Sequence, residues 1–357
     1  MRIFAHAILS SLLVFLLAAE QLSSAATLTA NEGVIVNGRL IPAPAGASQQ
    51  LRNAIRDFPP PVYPNSGSAP SSLAEWESMI KGADSGASSN LPALINKYKV
   101  AVLSEVIDGV NVHRITPANI SELNKNRVFL FVHGGAYVFG QGAAGISEAI
   151  LIASRLSVLV VSIDYRMPPA HPFPAALDDV VAVYQKIIQD QTPATIIIGG
   201  TSAGAGLAMA SVHQFHQLDL PLPGAVYAGT PWADLSKTGD TLYTNQGLDR
   251  VLVVYEGLLS AAASLYADGK SLKNPLLSPI YGEFDYFPPT ILFTGTRDMF
   301  LSDVARTHRK LRTAGVAADL HVYEGMSHAG YLLVPDAPES VNLYKELGSF
   351  IDQHVAQ

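Results

Sequence analysis

The stretch "TIIIGGTSAGAGLAMA", Thr195 to Ala210, runs from an apolar β-type segment into small helix formers, with one serine at the join. Around Ser202 nearly every bulky side chain is missing: Gly200 and Thr201 precede it, Ala203 and Gly204 follow. The pentad Gly200 to Gly204 fits G-x-S-x-G, and its place between a strand and a helix is the context of a nucleophile elbow. In such a turn the serine is strained, and a Cβ two residues before or after it would strike neighbouring backbone. The helix that follows points its positive end at whatever reacts with the hydroxyl. A tight glycine-rich turn without chemistry gives the same spacing, so the pentad has to be read with its surroundings.

Outward from it, the chain alternates strand-like and helix-like blocks. "VFLFVHGG" (128–135) and "VLVVSIDY" (158–165) are short apolar runs rich in β-branched residues, as buried parallel strands require. "ALDDVVAVYQKIIQD" (176–190) carries one apolar helical stripe. Later come "GAVYAGT", "TILFTGT", "DVARTHRKLRTAG", "DLHVYEG" and the amphipathic "APESVNLYKELGSFIDQ". Strict alternation predicts an α/β fold with a mostly parallel central sheet and helices on both faces. Residues 27–95 are rich in breakers ("FPPPVYPNSGSAPSS", "KGADSGASSN") with two helical pieces, "QQLRNAIRDF" and "SLAEWESMI", and read as an accessory segment. The core is then 96–357, interrupted at about 236–285, where "LDRVLVVYEGLLSAAASLYADG" is expected to form a long apolar helix.

Three further pieces sit at strand ends. "FVHGGAYVFG" places Gly134 and Gly135 directly after a strand, where bare N–H groups, together with that of Ala203, make an oxyanion hole. His133 beside them reads as support for the loop. "LFTGTRDMFLSD" places Asp298 after a strand and Asp303 at the next helix start; Asp303 competes with Asp298 as the orienting acid, but its place at a helix start makes it an expected N-cap. "HVYEGMSHAG" places His328 in the loop after the last strand. The order Ser202, Asp298, His328 is that of an α/β-hydrolase triad: nucleophile, orienting acid and base meeting at one sheet edge. Tyr137, Phe139 and Trp232 are candidate substrate-pocket residues, against core packing as the default for aromatics. His213 and His216, three apart on a helix, have no apparent third metal ligand and are expected on an exposed face.

"HGGAYVFG", "DYRMPPAHPFPAALDD", "GTSAGAG", "TPWADLS", "GTRDMFLSD" and "YEGMSH" together resemble the hormone-sensitive-lipase-like esterases, the bacterial family IV of lipolytic enzymes, in the branch with a GTSAG motif. The resemblance covers about residues 95–350. It implies an α/β-hydrolase core, a helical cap built from the N-terminal region and the internal insertion, no cofactor, and a pairing of subunits into a homodimer. By position, Ser202 resembles the nucleophile, Asp298 the acid, His328 the base, and Gly134, Gly135 and Ala203 the oxyanion donors. Ala136 stands where many members have glycine, Thr201 where a sister branch has aspartate, and Ala170 where an acidic residue is frequent. Asp178 and Asp179 remain candidate structural carboxylates.

The expected activity is a serine carboxylesterase acting on small, short-acyl esters; a lactonase or an amidase would use the same triad. A binding protein on the same scaffold is the other class, and the intact His328 distinguishes this chain from receptors that lack the histidine. With 357 residues, 48% hydrophobic and only 15% charged, a large core is available. The net charge of −7 offers no basic surplus for nucleic acid. The absence of cysteine excludes disulfides and thiolate metal sites. The N-terminus, with Arg2, an apolar run from Ala7 to Ala19 and small residues at Ser24 to Ala26, reads as a signal peptide over 1–26 cleaved near Ala26. The run is too short for a stable membrane anchor, and the mature chain is expected to be exported, periplasmic or secreted.

Overall fold

The apolar run before Ser202 and the other apolar runs of the chain form strands of one sheet in the computed structural model, which describes residues 33–36, 38–57 and 69–357. The expected signal peptide lies outside the described residues. The chain divides into two units, residues 1–43 and 44–357. In the first, Gly33–Val36 (β1) and Arg39–Pro42 (β2) form an antiparallel pair.

The second unit holds an eight-stranded sheet: Val100–Ile107 (β3), Val110–Pro117 (β4), Val128–Val132 (β5), Leu159–Ile163 (β6), Ile196–Thr201 (β7), Ala225–Gly229 (β8), Thr290–Gly295 (β9) and Ala318–Tyr323 (β10). Their order is β10-β9-β8-β7-β5-β6-β4-β3. Only β4 runs antiparallel to its neighbours, β3 and β6; the other pairings are parallel. The central strands β7, β8 and β9 are buried along their whole length, which is why they read as unbroken apolar runs rather than alternating ones. β3, at the edge, is buried only at Val100 and is otherwise half-buried or exposed.

Two cores fill the two faces. On one, Ala175–Ile187, Ala203–Gln217 and Leu301–Thr313 pack through Val180, Tyr184, Leu207, Phe215, Val304 and Leu311. On the other, Ser147–Leu156 and Pro338–His354 pack through Ile150, Ile152, Leu343, Leu347 and Phe350. The close fit of Ala203–Gln217 depends on glycine. A Cβ at Gly200 would come within 1.9 Å of the Val132 carbonyl oxygen, and one at Gly204 within 2.1 Å.

The accessory segments differ from the sequence expectation in two places. The helix Leu73–Ser88 continues through the breaker-rich "KGADSGAS". Its Asp84 carboxylate accepts the N–H groups of Gly140 and Gln141, and this tertiary contact outweighs the low helix propensity of Gly82 and Gly86. The long apolar helix expected over 248–269 is confined to Leu258–Ala267. Residues 248–257 form an irregular loop: the Asp249 carboxylate accepts the N–H groups of Val251 and Leu252 (2.8 and 3.2 Å) and, from distant chain, those of Met299 and His328, and Val253, at φ 62°, leaves the helical conformation.

Candidate active site

The chemistry-bearing loops all leave the carboxyl ends of sheet strands, the usual ligand-binding edge of an open α/β sheet. Ser202 follows β7 and occupies the turn with φ 62° and ψ −124°, outside the conformations open to most side chains. Its N–H donates to Gly229 O, and its carbonyl accepts from Gly206 and Trp232, so the strained turn is pinned on both sides. The helix Ala203–Gln217 starts at the next residue. Its first N–H groups have no intrahelical partner, and they leave the helix at its positive end.

Gly134 and Gly135 follow β5. A Cβ on Gly134 would lie 2.7 Å from the Thr201 carbonyl oxygen and 3.5 Å from Ser202 Cβ, which puts this loop against the nucleophile turn. Gly135 has φ +111°, and a Cβ there would fall 2.2 Å from the Phe139 carbonyl oxygen. Ala136 and Tyr137 also have positive φ, so the loop turns back on itself directly after the two glycines. His133 is buried and stacked on Tyr165 at 4.1 Å. Its Nδ1 lies 2.8 Å from the Gly134 carbonyl, and burial holds its pKa below the ordinary imidazole value. That is a loop support, as the sequence suggests.

Asp298 is fully buried beyond β9. Its Oδ1 accepts from the Phe300 N–H (2.8 Å) and lies 3.1 Å from His328 Nδ1, while Oδ2 accepts from Thr294 Oγ1 (2.8 Å). The His328 ring meets Phe300 edge-on at 4.8 Å. Asp298 and His328, the expected acid and base, are therefore in direct contact. Asp303, the competing acid, is the third residue of its helix rather than the N-cap, which is Phe300. Its buried carboxyl lies 3.7 Å from Arg306, and burial holds its pKa well above the usual carboxylate range.

Ser202 and His328 line one cavity of about 630 Å³, together with Gly134, Gly135, Ala136 and Phe139. His328 Nδ1 lies against Asp298 Oδ1, and Ser202 and His328 face the same cavity without a direct hydrogen bond between hydroxyl and imidazole. The apolar part of the wall comes from both accessory regions, Ala83 and Ala87 of Leu73–Ser88 and Val251 to Val254, Leu258 and Leu259 of the insertion, and the carboxylates of Asp84, Glu148 and Glu256 line the cavity beside it.

Of the three candidate pocket aromatics, Phe139 is on this wall. Tyr137 and Trp232 are 1% and 0% exposed and belong to the core instead. Tyr137 stacks on Tyr266 at 3.9 Å and Trp232 on Phe300 at 5.4 Å, which uses their faces for packing. His213 is also corrected: it is buried, not exposed, and bonds Tyr286 Oη and the Pro279 carbonyl. His216 is exposed, and no metal-binding cluster occurs among the described residues. Asp179 is a structural carboxylate that grips Arg166 through both oxygens, whereas Asp178 is exposed.

Two buried carboxylates beside the site, Asp249 and Glu148, escape the sequence reading. Asp249 Oδ2 accepts from the N–H groups of Met299 (2.9 Å) and His328 (3.3 Å), so it touches the loops that carry Asp298 and His328. Burial, with Asp298 nearby, pushes its pKa up to about 6. Glu148, on Ser147–Leu156, lines the cavity and accepts from Thr201 and Tyr227; burial pushes it up to about 7. The available signal was a lone carboxylate inside an apolar run, since such residues are almost never buried without partners.

A family model described as alpha/beta hydrolase fold matches residues 129–332. An acetyl-hydrolase of Streptomyces hygroscopicus is 29% identical over 226 residues, 63% of this chain and 75% of that protein. The crystal structure of an esterase called E25 superposes with a TM-score of 0.87 at 46% identity, over 90% of this chain and 98% of the other. That of an esterase from the bacterial hormone-sensitive lipase family superposes at 0.68 with 27% identity, over 80% and 100%.

Proposed function

We propose, for a chain that belongs to the α/β-hydrolase fold family and within it to the hormone-sensitive-lipase-like esterases, a carboxylesterase reaction carried by Ser202, His328 and Asp298. The activity is hydrolysis of carboxylic esters, as in the relatives named esterase and acetyl-hydrolase. The observation that carries the residue assignment is the convergence of a strained serine and an aspartate-bound histidine on one cavity.

His328 removes the Ser202 proton as the hydroxyl attacks the ester carbonyl, and Asp298 fixes the imidazole tautomer and stabilises the imidazolium. The N–H groups of Gly134, Gly135 and Ala203 stabilise the developing oxyanion, each such donor contributing roughly 10²–10³ in rate. The imidazolium then protonates the departing alcohol. Water activated by the same histidine releases the acid from the acyl-enzyme.

Small substrates with short acyl chains are supported by the cavity volume and by a wall of alanine, valine and leucine. The test is a series of p-nitrophenyl esters from acetate to palmitate, with Ser202→Ala as control. The expected result is turnover that is highest for short chains and lost in the variant. Undiminished activity in Ser202→Ala overturns the assignment.

Export through cleavage near Ala26 is supported by the N-terminal sequence alone and is tested by N-terminal sequencing of the mature chain, where an intact Met1 contradicts it. A homodimer rests on the family resemblance; light scattering at monomer mass contradicts it.

A further inference from the structure

Below the nucleophile lies a polar cluster that the triad does not use. Thr201 Oγ1 donates to Glu148 Oε1 at 2.7 Å, and Tyr227 Oη donates to the same oxygen at 2.9 Å. Tyr331 Oη lies 2.5 Å from Thr201 Oγ1. Glu148, Thr201, Tyr227 and Tyr331 are all buried, and they come from four separate elements. Each hydroxyl has one proton. Thr201 gives its own to Glu148, so it accepts from Tyr331, and the hydrogen bonds run one way: Tyr331 to Thr201 to Glu148.

The cluster is packed as well as bonded. A Cβ on Gly229 would lie 2.2 Å from Tyr331 Oη, 2.6 Å from Thr201 Oγ1 and 2.6 Å from Tyr227 Oη. The three hydroxyls thus converge in a space that only glycine leaves open at the end of β8. Thr201 immediately precedes Ser202, and Tyr331 lies three residues after His328 in the short helix Gly330–Leu333.

We propose that Glu148 is a positioning residue for nucleophile and base: by accepting from Thr201 it sets the direction of a relay that ties the residue before Ser202 to the helix after His328. The inference rests on the reading of Ser202 and His328 given above. It assigns Thr201 a task that valine of the same shape cannot perform, and a second carboxylate at position 201 would face Glu148 directly.

The test is steady-state kinetics with a p-nitrophenyl ester, expressed per active site counted by stoichiometric phosphonate titration, so that any misfolded fraction drops out. Glu148→Leu and Thr201→Val are each expected to lower kcat by about tenfold with KM nearly constant, and their combination to cost no more than either alone. Glu148→Gln keeps an acceptor at the position of Oε1 and is expected to restore kcat to near the parent value. If Glu148→Leu does not fold, Tyr331→Phe, which removes one hydroxyl, carries the same expectation. Parental kcat in Thr201→Val, additive losses in the double variant, or a Gln variant as impaired as the Leu variant each overturn the relay. Failure of the phosphonate to label Ser202 overturns the nucleophile reading instead, so the two failures are told apart.

Discussion

Ser202 holds φ 62° and ψ −124° because its neighbours leave it no alternative: its N–H is bound to Gly229, and its carbonyl receives Gly206 and Trp232. Backbone held in a sparsely populated region costs roughly 1–3 kcal/mol, and that strain belongs to function rather than to stability. Ser202→Gly should therefore abolish turnover while raising stability by about 1 kcal/mol, after allowance for the freer unfolded chain. Thermal or urea unfolding checks it; a less stable glycine variant contradicts the strain. The two candidate acids separate at this scale too. Asp298 bonds the imidazole and Asp303 does not, so Asp298→Asn should lower kcat by about 10⁴ through the wrong imidazole tautomer. Asp303→Asn should keep a rate near the parent's in the same assay.

At the scale of elements, the loop 248–257 shows what one side chain can do. Asp249 draws four backbone N–H groups to itself, two of its own loop and one each from Met299 and His328. Asp249→Ala leaves those donors without their acceptor in a buried place, and should cost at least about 2 kcal/mol of stability together with a loss of kcat. Unfolding and kinetics on the purified variant check both, and an unaffected protein contradicts the account of this loop. The strands and the turn at Ser202 were legible in the sequence because an apolar run and a glycine two residues either side of one serine are written in consecutive residues, although the group that forbids a side chain at Gly200 and Gly204 is the distant carbonyl of Val132. The loop at 248–257 was not. Its apolar run matches a helix, and only a contact with chain some 50 to 80 residues away decides otherwise. Tyr137 and Trp232 make the same point for the site, since no spacing says whether an aromatic face meets a substrate or another ring.

For the whole molecule, the buried carboxylates give stability a definite pH dependence. Glu148 has its pKa pushed from 4.5 to about 7 by burial. As pH rises the unfolded chain ionises this group first, so the fold binds the extra proton, and its contribution, full below about pH 4.5, is lost as pH climbs through about 7. Asp249 acts in the same direction between its ordinary 3.8 and about 6. Glu148→Gln removes one of these terms, so its thermal midpoint should fall less than the parent's between pH 5 and pH 8; an equal or steeper fall contradicts the assignment of a raised pKa. These groups sit beside Ser202 and His328, where the sheet collects its loops, and their cost in stability is localised at the candidate site.

The account depends most on Ser202 being the group that reacts with the ester carbonyl. Intact-mass and peptide-mapping mass spectrometry after exposure to a fluorophosphonate tests this directly. A single adduct on Ser202, with esterase activity lost in proportion to labelling, is the result predicted. An adduct on another residue, or full labelling of Ser202 with activity retained, would contradict it.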